Sequence, residues 1–406
     1  MTDVGPAPEV DLDLVSATTQ QESNEAWARA RAAGGVVHTE SAGGHWVLTR
    51  YEEVCAAFRD WEHFSSARTD PERNAISITQ GKVPLLIPEE LDPPEWFPMR
   101  RVLAELLTPG AAEQRRERAR HWCHHFLDQV AGTGRCDLVT DLVVPVPAAV
   151  ALEMLGFPEE EWLPLAGVFH DVAAYPLGHP TREQALPRFA DVLGAIRREV
   201  EARRTSPRDD AITALVEARV DGEPIDQESL ERLVFMVMAG GVDTTTAVAA
   251  AAFVHLGRDR DLRARLRNEP DLLTTATEEF LRMYPPARTH ARTVAADVEL
   301  SGCPMQAGER VVLSELSANY DEAAFPEPDA FRPERFPNRH VTFGMGIHRC
   351  PGSHLARVMF TEMLTAVLER MPDYELDEAG VTEYPSWTQV GGWAHIPITF
   401  APEGAA

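Results

Sequence analysis

The sequence predicts a mainly α protein with small β-sheets, and three observations predict it. Helical periodicity dominates between residues 96 and 275, where apolar side chains recur every three to four positions. Inside that region one apolar stretch opens at Asp226, a good helix cap, and runs to about Leu256. Roughly 30 helical residues span about 45 Å, long enough to cross a whole molecule. Strand-like segments lie mostly near the two ends of the chain, separated by glycine and proline turns.

Taken in order, residues 1–20 read as a flexible lead and residues 22–33 as a short helix. VVHT (36–39), a Gly43-Gly44 turn and HWVLTR (45–50) read as a hairpin, and residues 51–59 as a helix. From Ser65 to Pro94 the chain is loop-like, with apolar clusters at Ile76, Ile78, Val83, Leu85 and Leu86 broken by prolines. Glu159–Tyr175 and Thr181–Arg204 read as two helices joined by a mobile turn at 176–180. After Arg292 come short strands, a loop rich in Pro and Phe at 325–337, and a helix from about Gly352. WTQVGGWAHIPITF reads as a closing hairpin. The expectation is one domain over residues 1–406.

The chain has 406 residues and a formal net charge of −26. That balance argues against binding nucleic acid or an anionic membrane, since both need a basic surface. The five cysteines (Cys55, Cys123, Cys136, Cys303 and Cys350) show no zinc-type spacing and no disulfide framework. The first twenty residues lack the basic and apolar regions of a signal peptide, so a cytoplasmic protein with reduced thiols is expected.

The most informative stretch is Phe343-Gly344-Met345-Gly346-Ile347-His348-Arg349-Cys350-Pro351-Gly352. Glycines around one cysteine let backbone approach a flat cofactor and aim amide hydrogens at the sulfur. Leu355, Met359, Met363 and Val367 mark a helix starting just after it, and a helix N-terminus favours a thiolate. Such a thiolate can ligate heme iron. For a lone cysteine, a buried small thiol beside turn glycines is the plainer reading.

The spacing resembles, position by position, the heme-binding loop of the cytochrome P450 family, FGxGxHxCxG, followed by a helix beginning Leu355-Ala356-Arg357. Other motifs follow that family's order along nearly the whole chain. Glu279-Phe280-Leu281-Arg282 resembles its ExxR pair, with Arg335 as the third member, a triad expected to lock the loop structurally. Ala239-Gly240-Gly241-Val242-Asp243-Thr244-Thr245 resembles its oxygen-activation segment. Two mid-helix glycines cost about 1 kcal/mol each relative to alanine, and the resemblance implies a reason, a distorted helix passing close over heme. Asp243 and Thr244 are then the expected catalytic acid–alcohol pair. Arg100, Arg292 and His348 match positions that hold the heme propionates. Trp96 stands where many relatives place histidine, and Tyr320 where the family's ANRD element has arginine.

The resemblance implies the cytochrome P450 fold, a triangular helical prism with its long central helix over heme b. Cys350 is the implied iron ligand, with Trp96, Phe343, Gly344, Gly352, Ala239 and Gly240 also against the cofactor. The implied reaction inserts one atom of O2 into a small, largely apolar substrate such as a natural product or terpenoid. Ile76, Ile78, Val83, Leu85, Leu86, Met236, Ala287, His290, Val390 and Gly391 are the implied pocket, with His290 and Arg288 as polar handles. No flavin, nicotinamide or iron–sulfur fingerprint appears, so electrons are expected from a ferredoxin and its reductase, with NAD(P)H the ultimate donor. The run Arg115–Arg120, with Arg339 and Arg349, suggests either a basic docking patch or an ordinary solvated helix face. A monomer is expected. Oxidative coupling, desaturation, peroxide-driven oxidation and a non-catalytic heme sensor are the rival outcomes.

Overall fold

A computed structural model of the chain describes residues 8–13, 19–78, 83–386 and 390–403. The chain folds into two compact units, one formed by residues 1–96, 278–350 and 384–391, the other by 97–277, 351–383 and 392–406.

The first unit is built on a five-stranded sheet in the order Val36–Thr39, His45–Leu48, Arg310–Ser314, Thr289–Val294, Phe64–Ser65. The expected hairpin pairs Val36 with Leu48 and Thr39 with His45. Its alternating side chains divide the core. Leu48, Val311 and Leu313 meet Val54 and Phe58 of helix Tyr51–Arg59 on one face; Val37, Val47 and Val312 meet Trp27 and Leu316 on the other. Residues 8–13 differ from the flexible lead expected. Val10 donates to the His38 carbonyl at 2.9 Å, and Leu12 is buried because its apolar side chain fills the Trp27 face. Helix Gln20–Ala33 begins at a Thr19–Glu22 capping box.

The long loop is tied at Glu90, which is 1% exposed. Its carboxylate pairs with Arg68 and accepts the backbone amides of Ala75 at 2.9 Å and Leu86 at 3.0 Å. Ile76 is buried in this arrangement, and Ile78 packs against the Trp27 cluster. Residues 79–82 and 387–389 lie outside the described residues.

The second unit is helical. Its axis is the apolar stretch Gln227–Arg258, capped by Asp226, whose carboxylate accepts from the Ser229 amide at 2.9 Å. The stretch is long and apolar enough to cross a membrane, but 72% of its apolar window is buried inside the molecule, as in a core helix. Two expectations are corrected here. The segment from Thr181 is not one helix: Pro180–Ala185 passes through a tight turn at Leu186–Arg188 into Phe189–Thr205, because Pro187 has no amide to continue the ladder. The closing hairpin does not form either. Trp393–His395 pairs with Thr382–Glu383, whereas Pro397–Thr399 pairs with Arg135–Asp137 and Glu375–Leu376. Only Ile396 separates the two segments, too few residues to reverse the chain.

Candidate active site

The sequence-predicted site residues divide between the units. Cys350, Phe343, Gly344, His348, Trp96 and Arg292 belong to the first; Met236, Ala239, Gly240, Asp243, Thr244, Arg100 and Gly352 belong to the second.

In the first unit the cysteine loop folds back on itself. The Cys350 amide donates to the Phe343 carbonyl at 2.8 Å, and the Gly344 amide to that of Val341 at 2.8 Å. Gly344 and Gly346 sit at φ of 64° and 66°. A Cβ on Gly346 would lie 2.3 Å from the Phe58 carbonyl oxygen, so only glycine lets the loop rest on helix Tyr51–Arg59. Cys350 is partly exposed, unlike the buried Cys55, Cys123 and Cys303. Helix Ser353–Arg370 begins three residues later.

Beside the loop stands a group of buried ionisable side chains. His348 packs edge-on against Trp96, ring centroids 5.9 Å apart. Its Nε2 is buried without a hydrogen-bond partner, the Asp92 carboxylate lying 3.7 Å away. Burial pushes this imidazole down, Asp92 opposes that, and Arg292 adds to it. Arg292 is 3% exposed. Burial pulls its guanidinium below the usual range, and Glu89, Glu315 and Asp92 work against that pull. His290 was expected as a substrate handle, but both ring nitrogens turn to carboxylates: Nδ1 bonds Glu315 and Nε2 lies 3.5 Å from Glu89. Burial alone would lower its pKa; the two carboxylates outweigh burial and raise it to about 10. Arg288, the other expected handle, donates to Asn24 at 2.6 Å. Two predicted pocket segments do meet: Ala287 bridges Val390, and the Gly391 amide donates to the Pro286 carbonyl at 3.2 Å. Val83, Leu85 and Leu86 are half-buried.

The expected structural triad is assembled in full. Glu279 accepts Arg282 at 2.8 and 2.9 Å and Arg335 at 3.0 and 3.1 Å, together with the Arg332 amide at 3.0 Å and Asn338 at 3.0 Å. Tyr320 replaces arginine without loss of a tie, since its hydroxyl donates to the Met283 carbonyl at 3.1 Å and its ring lies 5.5 Å from the Arg282 guanidinium.

In the second unit the long stretch breaks at Val242 (φ −92°, ψ −70°) into helices Gln227–Gly241 and Asp243–Arg258. Two hydroxyls compete with the helical ladder there. Thr244 donates to the Gly240 carbonyl at 2.9 Å, and Thr246 to the Val143 carbonyl at 2.7 Å and that of Val242 at 3.1 Å. A Cβ on Gly241 would press at 3.3 Å on Ala151, so this glycine serves helix packing. Gly240 is different: a Cβ there would meet only Met236 at 3.6 Å. Met236, Ala239, Gly240 and Thr244 share one helical face, and all four escape the burial of their neighbours. Asp243 is buried: its side chain is 5% exposed and Oδ1 lies 2.7 Å from His170 Nδ1. Arg100 is half-buried on helix Trp96–Leu106.

These residues fit heme. The first unit offers a thiol on a loop with an open side, a buried guanidinium, and a buried imidazole nitrogen that lacks an acceptor such as a propionate would supply. The second offers a bare small-residue helix face beside a hydroxyl. The sequence reading missed Glu89, Glu315 and His170, lone residues with no local signal that reach their partners only through tertiary folding. The arginine run does not form a free basic patch. Arg116 pairs with Glu113 and Glu362 at 2.6 and 2.7 Å, Arg120 with Glu362 and Glu117 at 2.9 and 3.1 Å, and Arg118 with Glu153.

Residues 179–373 match the family model described as Cytochrome P450. The chain is 32% identical to a steroid C26-monooxygenase of Mycobacterium tuberculosis over 98% of both sequences. It is 33% identical to a mycinamicin IV hydroxylase/epoxidase of Micromonospora griseorubida over 82% of this chain and 83% of that one. The fold is similar to that of a Mycobacterium marinum cytochrome P450 in complex with pseudoionone, with TM-score 0.87, 26% identity, and coverage of 98% and 100%.

Proposed function

This chain belongs to the cytochrome P450 family and is a P450 monooxygenase; on that premise we propose the substrate class, electron donor and residue roles that follow. One atom of O2 enters a small, largely apolar natural product or terpenoid as a hydroxyl or epoxide, R–H + O2 + two electrons + two protons giving R–OH and water. Support for the substrate class comes from relatives named as a steroid C26-monooxygenase and a mycinamicin IV hydroxylase/epoxidase, and from the pseudoionone complex. The heme, taken to be heme b, supplies the redox chemistry that splits dioxygen.

The chain's own residues supply the rest. Cys350 provides the thiolate, and Phe343, Gly344 and Gly352 shape the loop that presents it. Arg100, Arg292 and His348 hold the propionates, with Trp96 packed against His348. Ala239 and Gly240 keep the helix face low enough for the cofactor plane. Asp243 carries a proton to the Thr244 hydroxyl, which is held meanwhile on the Gly240 carbonyl and presents the proton to oxygen. Ile76, Ile78, Val83, Leu85, Leu86, Met236, Ala287, His290, Val390 and Gly391 line the substrate space. Electrons arrive from a separate ferredoxin and reductase fed by NAD(P)H. The protein works as a cytoplasmic monomer, its two units forming one domain.

The observation that carries this reading is the Cys350 loop, whose Gly346 backbone rests against Phe58 with no room for a side chain. The test is the spectrum of dithionite-reduced protein under carbon monoxide. A red-shifted thiolate-type Soret band that vanishes in Cys350→Ala is expected; a band indifferent to that change would overturn the assignment.

A further inference from the structure

Asp243 has a partner that the oxygen-activating motif does not contain. His170, on helix Glu159–Ala174, places Nδ1 at 2.7 Å from Asp243 Oδ1. The two side chains differ in access: Asp243 is 5% exposed and His170 is 20% exposed. The imidazole is thus the more exposed member of the pair. Asp171 neighbours it on its own helix and lies 3.9 Å from Arg188 of the following turn. Arg182, from helix Pro180–Ala185, is committed to the backbone carbonyls of Val172 and Tyr175. Helix Pro145–Leu155 contributes the apolar Ala148, packed with Ala166 and Val242. Burial pushes the His170 pKa down, but Asp243 and then Asp171 outweigh it and leave the ring above its ordinary value.

We propose that His170 is the proton inlet of this site, a positioning residue that loads Asp243 from the more exposed side so that delivery to Thr244 follows the charge state of the ring. The inference rests on the reading of Asp243 and Thr244 as the oxygen-activating pair. The step balances within the protein. The imidazolium gives its Nδ1 proton to Asp243 Oδ1, leaving a neutral ring and a carboxylic acid. The acid passes that proton to the Thr244 hydroxyl and returns to carboxylate, the hydroxyl gives its own proton on to the oxygen being protonated, and the ring takes one proton from solvent. Below its pKa the ring is loaded; above it the inlet empties.

Two measurements on the heme-loaded protein test this, neither needing the substrate. The first is ring NMR of His170 in the diamagnetic ferrous–carbon monoxide form, with His170→Asn as assignment control. The titration midpoint is expected above 6.5 and to fall in Asp243→Asn. The second is the number of electrons consumed per dioxygen without substrate: two if peroxide leaves, four if protonation carries oxygen to water. The wild type is expected to shift from water towards peroxide as pH rises through the NMR midpoint. His170→Asn keeps a donor near the Nδ1 position but cannot relay, so it should give mostly peroxide with no pH step and an unchanged carbon monoxide band. A His170 midpoint indifferent to Asp243→Asn, or a pH step that survives in His170→Asn, overturns the inlet. Thr244→Ala separates the two levels. If it does not raise peroxide, the oxygen-activating reading itself fails; if it does and His170→Asn keeps the step, only the inlet fails.

Discussion

Glu279 and Arg282, one helical turn apart, form a two-bond fork at 2.8 and 2.9 Å with no side-chain surface exposed on either residue. The same carboxylate takes Arg335, the Arg332 amide and Asn338, so one acidic group fastens its own helix to the loop 332–338 that leads towards Cys350.

Removing that acid should therefore cost more than a surface pair would. Glu279→Gln keeps the shape but leaves two buried guanidinium groups without their counter-charge, for an expected loss of about 3–5 kcal/mol. Arg282→Lys should not behave as a conservative change, because an ammonium cannot present the planar fork. Urea unfolding of each variant, read beside the fraction of protein showing the thiolate-type band, checks both statements. Stability equal to the wild type in either would refute them.

The two loop glycines should separate sharply. Gly346→Ala drives a methyl group to 2.3 Å from the Phe58 carbonyl oxygen, a backbone atom that cannot swing aside, so the thiolate band should fall severalfold. Gly344→Ala meets only the Phe58 ring, at 3.7 Å, and suffers chiefly from its φ of 64°, a cost of about 1–2 kcal/mol. Parallel carbon monoxide spectra at equal protein concentration decide the ranking.

His290 makes stability depend on pH in one direction. Its folded pKa of about 10 exceeds the usual 6.5, so the folded chain holds a proton that the unfolded chain has already released between those values. This contribution is complete below pH 6.5 and drains as pH rises through about 10, by at most about 1.4 kcal/mol per pH unit. His290→Gln removes the slope and strands Glu315, which is 0% exposed in its side chain, so the variant should be less stable by about 3 kcal/mol at neutral pH. Urea midpoints of the two proteins from pH 6 to 10 should converge at the alkaline end; parallel curves would refute the assignment.

What was legible in the sequence was what is contiguous. The loop before Cys350, the Glu279-to-Arg282 spacing and the Gly240-to-Thr244 segment each sit within one short stretch, so their resemblance to the family's motifs could be seen in the sequence. The break at Val242 was not placed: the stretch from Asp226 to Leu256 reads as one helix, and a distortion near the paired glycines was implied only by the family resemblance. The partners of Asp243 and His290 were not legible either. His170 lies 73 residues from Asp243, and Glu315 lies 25 from His290, and nothing near any of them marks the pairing. The C-terminal strands failed for the same reason: Pro397–Thr399 has the right residues for a strand, but its partners at Arg135–Asp137 and Glu375–Leu376 are chosen by the fold.

The pairing of Arg116, Arg118 and Arg120 with Glu113, Glu117, Glu153 and Glu362 bears on how fast electrons can arrive. With the arginine run neutralised from within, a chain of net charge −26 holds little positive potential there to draw in an acidic donor. Two anionic proteins approaching through dilute buffer repel one another over distances of about 10 Å or more, and added salt shortens that reach. For the ferredoxin proposed above, if it is acidic, ionic strength then acts as an accelerator of the encounter, the reverse of its effect on oppositely charged partners.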